Sequence, residues 1–366
     1  MRVATLNFHN AYNYGAVFQS FALQSIIQSL GAECEILNYR NKAVDEQYAL
    51  TKLKFDRKLL RRIRANLVLL PFIKNKRKNF DFWFSKYNLS KAYTKETLYK
   101  ANDEYDKFIV GSDQVWNMKC HGADTAFFLD FVDDNKKIAY AASFGMHNVP
   151  EKYRQLYSEN LKTFNAISVR EQRGIELVKE LCGRGCICTM DPVLLAGRDF
   201  WYRNMAAVED LSPYIFVYHL GHGSLVSDFV KQLRKKLNLK VIYVTGHIGN
   251  MIRYSLKDSN YSDVSPEKFL TLLSNAQYVV TNSFHATALS LLFTKKFSVV
   301  VKGGCEALYN SRIFSLLSRY GLENRITERF CDNVVQDCID FTIFNEKFEV
   351  DRKQSVDFLR RSILDS

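Results

Sequence analysis

The stretch MRVATLNFHNAYNYGAVFQSFALQSIIQSLG, residues 1–31, decides how the chain is read. Val3 to Leu6 form a short apolar run that suits a strand. A polar turn follows (Asn7, His9, Asn10, Asn13, Gly15). Apolar residues then recur at helical spacing, Val17, Phe21, Leu23, Ile26, Ile27 and Leu30, closed by Gly31. The pattern predicts strand, turn and helix in that order. Such a unit aims free backbone N–H groups, with the positive end of the helix dipole, at the space above the strand's C-terminal end. A phosphate or carboxylate suits that position, and Asn10, Asn13 and Gly15 are candidates to hold one. An ordinary capped βα turn is the competing reading.

The same alternation continues. CEILNY (34–39), KFIVGSD (107–113), KIAYAASFG (137–145) and AISVRE (166–171) read as strands, and CTMDPVLL (188–195) as a strand and turn. A second series holds YIFVYHLG (214–221), KVIYVTG (240–246), YVVTNS (278–283) and FSVVVKG (297–303), with helical patterns between them. Repeated βα alternation predicts an α/β fold of two parallel sheets wrapped by helices, that is, two Rossmann-like domains facing across a cleft. The expected boundaries are residues 1–195 for the first domain and 196–345 for the second, with Asp191–Arg198 as the linker. A helix within 346–366, with Val356, Leu359, Ile363 and Leu364 on its apolar side, is expected to dock back on the first domain.

The chain has 366 residues, 47% of them apolar, and a formal net charge of +12. Residues 52–78 contribute most of that charge, with eleven Lys and Arg against the single acid Asp56. Leu53, Leu59, Leu60, Ile63, Leu67 and Leu70 recur there at helical spacing. A basic amphipathic segment of this kind favours an anionic membrane surface; a solvated basic helix is the alternative. No motif for nucleic acid accompanies it, and none is expected as a partner. No apolar run reaches the ~20 residues that span a bilayer. The reading therefore expects a cytoplasmic protein, in peripheral contact with the inner membrane face. The cysteine spacing around Cys182, Cys186 and Cys188 matches no common zinc pattern, so no metal is expected.

Polar clusters fall just after the predicted strands, where open α/β sheets bind ligands. Ser112, Asp113 and Gln114, with Trp116 behind them, offer a carboxylate, an amide and an aromatic face to a sugar; a capped turn over a core tryptophan is the rival. Arg170 can grip a carboxylate or phosphate bidentately, or form a plain ion pair. Asn282, Ser283 and His285 close one strand and open a helix, where His285 can trade a proton near neutral pH or serve as a structural histidine. Arg312 is a further candidate anion clamp. The absence of a Gly-x-Gly-x-x-Gly run, of a Walker A loop and of a His-x-x-x-His pair argues against dinucleotide redox chemistry, nucleotide triphosphate hydrolysis and zinc hydrolysis.

Seven segments in order, FHNAYNYGAVFQSFALQ, FIVGSDQVWN, YAASFG, ISVRE, MDPVLL, VTNSFHATALSLLF and NSRIFSLLSRYGL, resemble the polysaccharide pyruvyl transferase family over about residues 1–325. The resemblance implies a GT-B-like pair of Rossmann domains, the first on the acceptor side and the second on the donor side. It implies transfer of the enolpyruvyl group of phosphoenolpyruvate to a sugar of a capsule, exopolysaccharide or cell-wall precursor, giving a pyruvate ketal and phosphate. The sugar would be carried on a lipid diphosphate or a nucleotide, and no cofactor is implied. His285 would be the proton donor, Arg170 a ligand of the donor's anionic groups and Asp113 the acceptor-side carboxylate. Many members carry Arg two residues before the histidine, where this chain has Ser283; Arg312 or the turn Asn13-Tyr14-Gly15 would then supply the missing contact. Two readings compete with this one, a GT-B-type glycosyltransferase using a nucleotide sugar and a scaffold without catalysis.

Overall fold

A computed structural model describes residues 1–48, 59–207, 212–221, 224–245, 260–261, 263–302 and 311–364. Lys52, Lys54, Arg57 and Lys58 of the basic segment lie outside the described residues, as do the side chains of 59–69 and Gly246, Gly303 and Asn310.

The chain forms two parallel sheets. The first contains β1 (Arg2–Leu6), β2 (Glu33–Tyr39), β3 (Leu89–Tyr93), β4 (Lys107–Val110), β5 (Lys137–Ala142), β6 (Ala166–Val169) and β7 (Ile187–Cys188), in the order β3-β2-β1-β4-β5-β6-β7. The second contains β8 (Tyr214–His219), β9 (Lys240–Thr245), β10 (Asn260–Tyr261), β11 (Tyr278–Thr281), β12 (Phe297–Val300) and β13 (Ile326–Thr327), in the order β10-β9-β8-β11-β12-β13. Strand order reverses between β1 and β4 in one sheet and between β8 and β11 in the other. Such switch points leave a crevice at the strands' C-terminal ends, because neighbouring loops there run to opposite faces. The fold is thus the α/β pair of Rossmann-like units expected from the alternation.

The opening unit folds as its pattern dictates. β1 is buried from Val3 onward, and the helix Tyr14–Ser29 begins at Asn13, whose side chain accepts from Ala16 N at 3.3 Å. That helix also joins the two units. The Tyr14 ring stacks on Phe269 at 4.3 Å and meets Tyr218 edge-on, and Tyr14 Oη donates to Val264 O. One apolar cluster runs from Val3 and Phe18 through Trp201 to Phe216, Phe269 and Leu289.

Two expectations are corrected. The final helix spans Thr342–Leu364 rather than starting near 346. Phe344 packs on Tyr320 and so extends its buried side by a turn. It docks on both units: Ser355 Oγ accepts from Met190 N, Phe358 meets Tyr140, and Asp351 pairs with Arg319. Residues 59–78 of the basic segment belong to one helix, Leu59–Phe84, whose described side chains are not uniformly solvated. Lys76 is buried among Tyr14 and Phe80, and Asn75 and Asn79 bond Asp263 of the second unit. Lys74, Arg77 and Lys78 remain exposed.

Candidate active site

Residues from five strand ends converge. Arg170, after β6, is almost fully buried and donates from Nη1 to Asp191 Oδ2 at 2.6 Å. Its other arm faces Asp113 Oδ1 at 3.4 Å. The guanidinium lies over the Phe284 ring at 4.1 Å, a cation–π contact in a dry setting. His285, the second residue of the helix Phe284–Leu292, points Nε2 at the same pair, 3.4 Å from Arg170 Nη1 and 3.6 Å from Asp191 Oδ2. Gly15 closes the other side of the imidazole: a Cβ there would stand 2.1 Å from Nδ1. Only glycine permits this approach.

Asp191 is the hub. Its Oδ2 also lies 3.0 Å from Ser112 Oγ, and its Oδ1 accepts from Val193 N at 2.9 Å, capping the helix Pro192–Leu195. Burial by itself would raise this carboxyl; the charge and hydrogen bond of His285, and those of Arg170, outweigh it and hold the group well below the usual carboxylate range. Asp113 has φ of 71°, a left-handed conformation that only a minority of non-glycine residues adopt, and Asp tolerates it better than most. That backbone turn brings its carboxylate back toward Arg170.

Around this core stand polar atoms with nothing to bond. Among the described residues, Arg170 Nε, Arg312 Nε, Glu171 Oε2 and Tyr218 Oη are buried without a hydrogen-bond partner. Arg312, in the first turn of the helix Ser311–Arg319, forms no ion pair with a described residue. Burial, then the like charge of Arg170, pulls its guanidinium below the ordinary arginine range. Burial pushes the Glu171 carboxyl up, against the opposing charges of Arg170 and Arg312. A buried guanidinium N–H with no acceptor carries a cost that an anionic ligand would remove. A cavity of about 980 Å³ adjoins the cluster, with Arg170, Asp191, Phe284, Met190 and Phe314 among its walls.

The structure therefore brings together Gly15, Ser112, Asp113, Arg170 and His285, with Arg312 close enough to act on their charges. It leaves others apart. Asn10 donates to Asp45 at 2.5 Å, and Asn13 is spent capping its helix. Gln114 lies against Gly145 and accepts from Asn117. Asn282 uses both ends of its amide on the Leu220 backbone, fastening the ends of β8 and β11 together. Ser283 caps the His285 helix. Trp116 corrects the expectation of a sugar platform: it is fully buried between Phe128, Phe144 and Phe164, with no face to offer.

Sequence reasoning missed Asp191 and Glu171 as members of the site, and the nearby phenols of Tyr48 and Tyr218. Asp191 stood in the quoted MDPVLL but read as a linker, although Asp before Pro is a helix start whose side chain must face the strand ends. Glu171 adjoins Arg170. Tyr48, at the end of the helix Lys42–Tyr48, has its phenol raised by burial and then by Asp113. No local signal marks either tyrosine.

A family model described as polysaccharide pyruvyl transferase matches residues 13–301. No curated protein matches the chain. Among solved structures, the UDP-GlcNAc 2-epimerase of Neisseria meningitidis, bound to UDP-GlcNAc, is similar at TM-score 0.51 and 11% identity, with 100% of each chain covered. A UDP-N-acetylglucosamine 2-epimerase described as putative, from Listeria monocytogenes, aligns at TM-score 0.53 and 10% identity, covering 99% of this chain and 90% of that one. At such identity the likeness shows the fold alone, two Rossmann-like units in a GT-B-like arrangement.

Proposed function

Because the chain belongs to the polysaccharide pyruvyl transferase family, we propose that it transfers the enolpyruvyl group of phosphoenolpyruvate to a sugar of a polysaccharide precursor, closing a pyruvate ketal and releasing phosphate. The observation that carries this reading is the half-buried Arg312 side chain, whose buried Nε has no partner among the described residues and which acts on the same charges as Arg170. Phosphoenolpyruvate brings a carboxylate and a phosphate on one small molecule, and two guanidinium groups suit two anionic groups. Arg312 would then supply the charge that Ser283 does not.

His285 would deliver a proton to the methylene carbon; its ring has Gly15 on one side and Asp191 and Arg170 on the other. Protonation makes the neighbouring carbon electrophilic, and a sugar hydroxyl attacks it. Asp113, which keeps a slight exposure, would take that hydroxyl's proton. Phosphate leaves, and a second hydroxyl closes the ring. Asp191, held ionised, orients His285 and Arg170 and stays out of the proton traffic.

The acceptor sugar would enter through the adjoining cavity, carried on a nucleotide or a lipid diphosphate. Exposed Lys74, Arg77 and Lys78 support peripheral contact with an anionic membrane. No helix among the described residues is long and apolar enough to cross one. No cofactor is required, because phosphoenolpyruvate carries the activated group. The test is phosphate release from phosphoenolpyruvate across a panel of nucleotide-linked and lipid-linked sugars. Acceptor-dependent release supports the reading. Turnover of a nucleotide sugar, with phosphoenolpyruvate inert, would favour a GT-B-type glycosyltransferase.

A further inference from the structure

Ketal formation moves two protons. One sugar hydroxyl replaces the proton given to the methylene carbon; the other hydroxyl's proton must end on the departing phosphate. The groups assigned so far account for the first. Asp191 cannot serve the second, because Oδ2 holds Arg170 and Ser112 and Oδ1 holds Val193 N. Asp113 is the base already assigned to the first hydroxyl, and its Oδ1 faces Arg170.

Glu171 is the carboxyl left over. It is 3% exposed, and its Oε1 accepts from Ser143 Oγ at 2.9 Å, which fixes the side chain. Its Oε2 is buried with no partner among the described residues, as is Arg312 Nε. The cations that act on it are Arg170 and Arg312, the two groups read as holding the donor's anions. A carboxyl in this setting needs a hydrogen-bonding ligand, and a phosphate oxygen answers that need.

We propose that Glu171 is the acid–base residue at the phosphate. Its proton goes to the bridging oxygen as the carbon–oxygen bond breaks, and the bond's electron pair leaves with the phosphate. The second sugar hydroxyl then bonds to the same carbon and returns its proton to the Glu171 carboxylate, which restores the starting state. The proposal rests on the pyruvyl transfer reading. Its charge logic is self-timing: a phosphate seated on Arg312 and Arg170 offsets the cations that favour ionised Glu171, so donor binding loads the acid with its proton.

The test is calorimetric titration with phosphoenolpyruvate at pH 7 in buffers of different ionisation enthalpy, for wild type and Glu171→Gln. Gln keeps an oxygen for Ser143, and thermal unfolding checks that the variant is folded. The expected result is proton uptake on binding in wild type that is reduced in the variant, with Kd within about threefold; protonation of the ligand itself cancels in the comparison. With an acceptor, kcat should fall by about 10²–10⁴ while KM for phosphoenolpyruvate holds. Equal proton uptake in the two proteins would overturn the role of Glu171. Failure of the wild type to bind phosphoenolpyruvate would instead overturn the transfer reading beneath it.

Discussion

Gly15 and His285 are in contact across the two units: a Cβ added to the glycine would stand 2.1 Å from Nδ1 of the imidazole. The helix that the first unit opens with is thus the seat of the second unit's histidine. Two segments 270 residues apart in the chain form one side of the site.

Gly15→Ala should therefore act through His285. The methyl group must push the ring off Asp191 and Arg170, and displacement of about 1 Å can cost on the order of 10² in kcat. Overpacking should also cost about 1–3 kcal/mol of stability. Steady-state rates and denaturant unfolding measure both. An unchanged kcat would mean that the seat of His285 does not matter to the reaction.

Arg170 and Arg312 should differ in stability. Arg170→Met strips Asp191 of its closest cation while leaving a buried carboxylate, which costs about 3–5 kcal/mol. Arg312→Met removes a charge that has no ion-pair partner among the described residues, so stability should hold or rise. Urea unfolding of the two variants checks this, and a severe loss in Arg312→Met would contradict the unpaired state.

Acid should weaken the fold through two histidines. Burial lowers His9 and His121 from about 6.5 to about 4. A depressed folded-state pKa means that the unfolded chain binds more protons below its own value. The stability from each is present above about pH 6.5 and is lost as pH falls toward about 4. Unfolding free energy should decline across that window, and less steeply in His9→Gln or His121→Gln. A flat profile would show that these rings are not held neutral.

Trp116→Phe should lower stability by about 1–3 kcal/mol without changing KM for either substrate, since the ring packs only against the core. A raised acceptor KM at full stability would return Trp116 to the site.

What the sequence disclosed follows from the range of the forces involved. Period-2 and period-3.6 patterns are local, so the helix from Tyr14 and the strands β4, β5, β8 and β11 were legible. β3, whose consecutive Lys91 and Ala92 are both exposed, carries too weak a pattern, and two-residue strands such as β10 and β13 carry none. Strand-end polar residues pointed to Asp113, Arg170 and His285 because the sheet's topology places every such end on one side. Side-chain commitment is not local. Asn282 looks as available as Ser112 until Leu220 is seen beside it. Asp191 looks like a turn residue until residues 21 and 94 positions away, Arg170 and His285, close on it.

The most direct test is thermal stabilisation of wild type and Arg312→Met by phosphoenolpyruvate, with UDP-GlcNAc in parallel. Ligand at one hundred times its Kd adds about 2.7 kcal/mol, a readable rise in Tm. The account predicts a rise with phosphoenolpyruvate in wild type and its loss in Arg312→Met. No rise with phosphoenolpyruvate, beside a clear rise with UDP-GlcNAc, would contradict it.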